Sequence, residues 1–245
     1  MSPRITLATA ARVLRQLRHD PRTIAPLLVV PVVLETLLRL VYDGKPAIFD
    51  RIGAPLLDIF PLITMFLVTS IATLRERTSG TLERLLTMPL AKLDLLLGYA
   101  LAFGAFAVLQ VAIATGVALT VLGLDVAGPA WLILVLAVAN AVLGTALGLF
   151  VSAFAASEFQ AVQFMPAVIL PQLLLCGLLL PREQMQRVLR WVSDVLPLSY
   201  AVNAMSRVTI TTGVPNAVLA DLAIVLGCIV AALGLGAATL RRRTA

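Results

Sequence analysis

The sequence predicts an all-α membrane protein with six transmembrane helices, and three observations carry that prediction. Of 245 residues, 60% are hydrophobic and 13% are charged, about half the charged share of an ordinary soluble domain. Six apolar runs are long enough to cross a bilayer, which takes about 20 helical residues. The charges fall mainly in the gaps between those runs. Helix is required because an open sheet leaves backbone polar groups unsatisfied in hydrocarbon. A β-barrel would instead show short alternating segments.

Taken in order, residues 1–22 form a basic arm with Arg4, Arg12, Arg15, Arg18 and Arg22. Ile5, Leu7, Ala8, Ala11, Leu14 and Leu17 mix with its arginines at helical spacing, the pattern of an interfacial helix on anionic lipid. A plain positive anchor accounts for the same charges. The spans follow at Ile24 to Tyr42, Pro55 to Leu74, Leu95 to Leu122, Trp131 to Ala155, Ala161 to Leu180 and Asn216 to Leu240. Neither an internal repeat nor a low-complexity linker divides them, so residues 1–245 read as one transmembrane domain. No cleavable leader is expected.

Orientation follows from the basic flanks. The arm, the second gap (Arg75, Arg77, Arg84, Lys92) and the tail (Arg241, Arg242, Arg243) share one side if the span count is even. Positive-inside makes that side cytoplasmic, with both termini there. The last loop, with Arg182, Arg187, Arg190 and Arg207, opposes this assignment but is longer.

The second gap, residues 75–90, is patterned. Leu82, Leu85 and Leu86 fall on one helical face; Thr78, Ser79 and Gly80 offer start chemistry; Glu83 suits a first turn; Pro89 ends the run. A short amphipathic helix is expected, its charges toward the cytosol. A solvated positive anchor is the alternative, but an anchor needs neither carboxylates nor a leucine stripe.

The run Glu76-Arg77-Thr78-Ser79-Gly80-Thr81-Leu82-Glu83-Arg84-Leu85-Leu86-Thr87-Met88-Pro89 resembles the cytoplasmic signature of ABC type-2 exporter permeases, including daunorubicin-resistance-like membrane subunits. Ser157-Glu158-Phe159-Gln160-Ala161 with Gln163-Phe164-Met165-Pro166, and Leu196-Pro197-Leu198-Ser199-Tyr200-Ala201, resemble two further stretches of that family. The resemblance implies a bacterial cytoplasmic-membrane export permease. It implies two partners: an ATP-binding cassette subunit, which holds ATP and Mg, and a second permease subunit, identical or similar. It also implies a coupling helix whose docking surface is Glu76, Arg77, Gly80, Thr81, Glu83 and Arg84. For residues 182–208 it implies a pair of short outer re-entrant helices, with an ordinary interfacial helix as the alternative. By spacing alone, Met185, Val188, Leu189 and Val192 form one stripe there, and Leu198, Ala201, Val202 and Met205 a second.

Intramembrane charge is a functional candidate by default. Glu35 and Arg39, four apart, are expected to pair, with Arg39 snorkelling to the outer surface as the simpler role. Asp58 is placed near the outer mouth of the second span. Gln163 joins Glu35, Arg39 and Asp58 as a pathway candidate, while Gln110, Asn140, Gln172 and Gln163 itself read more simply as helix glue. Pro166 and Pro171 are expected to bend the fifth span, and Gly144 and Gly148 to let the fourth pack closely.

The chain is expected to be non-enzymatic. The Gly44-Lys45 pair precedes Pro46 rather than completing a phosphate loop, so no nucleotide site and no cofactor are expected on this chain. Cys176 and Cys228 lack the neighbours of a metal site. The net charge of +6 is dispersed among apolar runs, which argues against nucleic acid. Few fixed interior charges point to amphipathic cargo: a drug, lipid or lipid-linked metabolite. An ion-gradient transporter is the alternative, with Glu35 and Asp58 as its available carboxylates. An intramembrane enzyme is disfavoured, because His19, the lone histidine, lies in the arm.

Overall fold

A computed structural model describes residues 2–80 and 92–239. Among them lie nine α-helices and no strand. They are α1 (Pro3–Arg18), α2 (Pro21–Val41), α3 (Pro46–Thr78), α4 (Lys92–Thr120), α5 (Ala130–Ser152), α6 (Glu158–Leu175), α7 (Arg187–Val195), α8 (Pro197–Ile210) and α9 (Asn216–Thr239). Six of these, α2 to α6 and α9, are long and apolar enough to cross a membrane.

Local sequence explains the helix starts. Pro3, Pro21, Pro46 and Pro197 each stand at a first helical position, where no backbone N–H is needed. Asp20 caps α2: its carboxylate accepts from the Thr23 amide and hydroxyl, bonds that hold its pKa below the usual carboxylate range. Ser157 caps α6 through the Gln160 amide at 3.2 Å, while the Gln160 side chain accepts from Ala156 N at 2.8 Å. This is close to a capping box. The Ser157-to-Gln160 stretch is therefore a helix-start device.

The bundle is built around α3 and α5, which run in the same direction. Asn140 Nδ2 donates to the Asp58 carbonyl at 3.1 Å. One turn on, Gly144 lies against the backbone of Leu62, and after a further turn Gly148 meets Phe66. A Cβ on Gly148 would sit 2.5 Å from the Phe66 carbonyl oxygen, so only glycine permits this approach. Both helices bury most of their length. One apolar cluster joins α4 residues such as Phe103 and Val111 to α1, α3 and α5. A second joins Ile59, Leu62 and Phe66 of α3 to α5, α6, α8 and α9.

By contrast α2, α6 and α9 bury only a minor share of their residues. Val29, Val33 and Leu37 on α2 and Leu170 and Leu174 on α6 face outward, as lipid-facing side chains do. α2 runs alongside α4: Gln110 Nε2 donates to the Leu27 carbonyl at 2.7 Å, and just past the end of α4 Arg39 Nε donates to the Leu122 carbonyl at 3.0 Å.

Candidate coupling junction

The sequence expects residues 75–90 to form one structure, with Thr78, Ser79 and Gly80 starting a helix. The described part ends at Gly80, so that helix start lies outside it. α3 runs unbroken through Thr78, and these three residues end it. Ser79 N donates to Arg75 O at 2.9 Å and Gly80 N to Arg77 O at 3.2 Å, while Gly80 takes φ +74°. Glycine just past a helix end closes the last turn in a left-handed conformation that a Cβ would oppose. Glu76 and Arg77 are consequently last-turn residues of α3. Thr81, Glu83 and Arg84, with the leucine stripe and Pro89, lie outside the described residues.

Arg75, Glu76 and Arg77 each grip a different element. Glu76 receives a fork from Arg12 of α1, Nη1 to Oε1 at 3.0 Å and Nη2 to Oε2 at 3.1 Å. Tyr99 of α4 donates its hydroxyl to the same carboxylate and accepts from Arg12 Nη2 at 3.1 Å. The Arg12 and Glu76 side chains are only 29% and 15% exposed, so this pair is partly shielded from water. Bidentate pairing in such a setting contributes about 1.5–3 kcal/mol.

Arg77 donates to the Ala153 carbonyl at 2.9 Å and to the Ala155 carbonyl, both just beyond the last turn of α5. A cation suits the negative end of a helix dipole. Arg75 forks onto Glu158, the first residue of α6, at 2.8 and 3.0 Å. That pair is 60% and 52% exposed and adds less than about 1 kcal/mol. α1 is held further by Ser2 N on Asp94 at 3.0 Å and by the fit of Thr9 against Gly98, where a Cβ would collide. The end of α3 thus ties α1, α4, α5 and α6 together immediately before residue 81. Of the expected docking residues, Glu76 and Arg77 direct their charges into the protein.

The intramembrane candidates do not assemble into one site. The expected Glu35–Arg39 pair is not formed. Glu35 continues the inward stripe of Leu27 and Pro31, is buried, and has neither oxygen hydrogen-bonded. Arg39 reaches the end of the bundle instead, to the Leu122 carbonyl, to Asp43 at 3.8 Å and over the Phe49 ring at 5.6 Å. The exposed helix end offers it water and carbonyls, so it leaves Glu35 behind. Asp58 is not at a mouth. α3 begins at Pro46, and Asp58 is fully buried on the α5 side with neither carboxylate oxygen hydrogen-bonded.

Gln110, Asn140 and Gln172 do join helices, the last by accepting from Leu198 N at 3.4 Å. Gln163 instead lies on the exposed face of α6. Pro197 starts α8, with Leu198 and Ser199 buried, and Ser193 Oγ bridges the Leu175 carbonyl at 2.8 Å and Ser199 Oγ at 3.0 Å. The α8 stripe of Leu198, Ala201, Val202 and Met205 is buried, whereas Val188, Leu189 and Val192 on α7 are exposed. Met185 precedes α7.

The ABC-2 type transporter family model matches residues 5–209, which include this junction. The chain belongs to that family. Among curated relatives of this ABC-2 type chain is the probable multidrug ABC transporter permease YbhS of Escherichia coli strain K12. It is 23% identical over 178 residues, covering 72% of this chain and 47% of the relative. The inner membrane transport permease YhhJ of the same strain is 28% identical over 177 residues, covering 70% and 46%. The chain spans about half the length of these relatives.

Proposed function

We propose that this chain is the membrane-spanning permease subunit of an ATP-driven exporter, worked by a separate ATP-binding subunit docked on residues 75–90. The observation that carries the reading is the junction at the end of α3. A push on the segment leaving Gly80 meets a last turn bonded to α1, α4, α5 and α6, so it acts on most of the bundle at once. With Glu76 and Arg77 engaged internally, docking falls to Thr81, Glu83 and Arg84, together with Gly80. The arm and both termini are cytoplasmic in this reading, in the bacterial inner membrane, and ATP with Mg belongs to the partner.

The cargo is amphipathic: a drug, a lipid or a lipid-linked metabolite. The relative named for multidrug transport and the scarcity of unburied intramembrane charge both support this. Gln163 supports a second permease subunit, because an amide on an outward face of a span is costly in lipid and is satisfied by a neighbouring chain.

The test is reconstitution with the ATP-binding subunit. Glu83→Ala is expected to leave thermal unfolding unchanged and to lower cargo-stimulated ATPase and transport by about tenfold, the loss of one charge-assisted contact. Unaltered transport would remove Glu83 from the docking surface. Uphill movement by this chain alone under an ion gradient would overturn the reading in favour of a secondary transporter.

A further inference from the structure

We propose that α1 binds anionic phospholipid headgroups through Arg4, Arg15 and Arg18, and that this binding sets the pose of the α3 end through Arg12 and Glu76. Depth carries the first half. α2 has 21 residues, a length of about 31 Å that just crosses a hydrocarbon core of about 30 Å. With the Gln110–Leu27 contact as the register, the start of α2 at Pro21 is level with Gly104, and Asp20 lines one small cavity with Tyr99 and Phe103. The first turns of α4, from Lys92 to Phe103, therefore project about 18 Å beyond the start of α2, through a headgroup layer of about 5–8 Å and into the water beyond it. α1 lies on this projecting part: Ser2 meets Asp94, Thr9 meets Gly98, Arg12 meets Tyr99, and Leu17 and Phe103 line one small cavity.

The faces of α1 fit that depth. Thr9, Ala10, Val13 and Leu17 point into the protein. Leu7 and Leu14 form an exposed apolar edge, 63% and 36% accessible. Beside it stand Arg4, Arg15 and Arg18, all exposed, none paired with a carboxylate among the described residues. α1 contains no acidic residue. An apolar edge flanked by unpaired arginines suits acyl chains below and phosphates above; a cytosolic protein surface would leave the leucines without cover.

The second half follows from the opposite side of the same helix. Arg12 is the fork on Glu76, two residues before α3 ends. A headgroup that draws α1 toward the bilayer draws this fork with it. Headgroup binding and the shift at the α3 end stand without the exporter reading; an effect on transport rests on it.

The test uses the full chain in vesicles of phosphatidylcholine with or without phosphatidylglycerol. Wild type is expected to retain phosphatidylglycerol over phosphatidylcholine by about fivefold for each contributing arginine. The variant Arg4→Gln/Arg15→Gln/Arg18→Gln is expected to lose that preference with unchanged thermal unfolding. A spin label on Thr78→Cys, with Cys176 and Cys228 replaced by Ser, is expected to change mobility on adding phosphatidylglycerol, and not in the triple variant. Arg12→Gln is expected to keep the lipid preference but lose the mobility change. Equal phosphatidylglycerol retention by wild type and triple variant overturns the headgroup site. Loss of the ATP-binding subunit by the triple variant, with lipid retention intact, also overturns it and marks α1 as a protein dock. A mobility change that survives Arg12→Gln overturns the link to Glu76.

Discussion

α3 makes two joints of opposite chemistry. Halfway along, it meets α5 through Asn140, Gly144 and Gly148, where backbones touch and side chains are nearly absent. At its end it meets α1, α4, α5 and α6 through three consecutive charged residues. The difference teaches how each depth of the membrane permits cohesion. In hydrocarbon, apolar side chains gain nothing by leaving lipid, so close packing of small residues decides. At the headgroup and water boundary, ions are tolerated, and forks between long side chains become possible. A small-residue joint admits no slack, whereas a charged joint can open and reclose.

That contrast can be broken at its rigid side first. Gly148→Val places side-chain atoms against the Phe66 backbone and is expected to cost about 3 kcal/mol, seen as a large fall in detergent-solubilised unfolding temperature. Wild-type unfolding behaviour in this variant would show that α3 and α5 can separate freely. Next comes the shielded fork. Arg12→Ala is expected to cost about 2 kcal/mol, and a double-mutant cycle with Glu76→Gln should return a coupling of about 1 kcal/mol or more. Additive effects would mean the fork contributes no pairing energy. Least affected is Arg75→Ala, expected to cost under about 1 kcal/mol, an effect that added salt abolishes because the Glu158 pair is exposed.

The helical class, the six spans and the close packing at Gly144 and Gly148 were legible, because each is written in local composition. The helix around Asp58 was read too short: Pro46 starts α3, but the charges of Asp50 and Arg51 interrupt the hydropathy signal. Thr78-Ser79-Gly80 was read only as a helix start, whereas small polar residues also serve helix ends, and φ at Gly80 shows them closing α3. Glu35 and Arg39 show the limit of spacing: four apart is enough to pair, yet nearby carbonyls and Asp43 drew the arginine away. The Arg12–Glu76–Tyr99 cluster was out of reach, since its members are brought together only by tertiary packing. Arg12 was visible only as one of the arm's positive charges.

The junction also fixes an order of assembly. Residues 12, 76 and 99 are all synthesised once the first part of α4 has emerged, so the arm can latch while half the chain is unmade. The carbonyls at 153 and 155 and the carboxylate at 158 arrive more than 50 residues later. Until then Arg75 and Arg77 lack the partners at the end of α5 and the start of α6 that complete the junction.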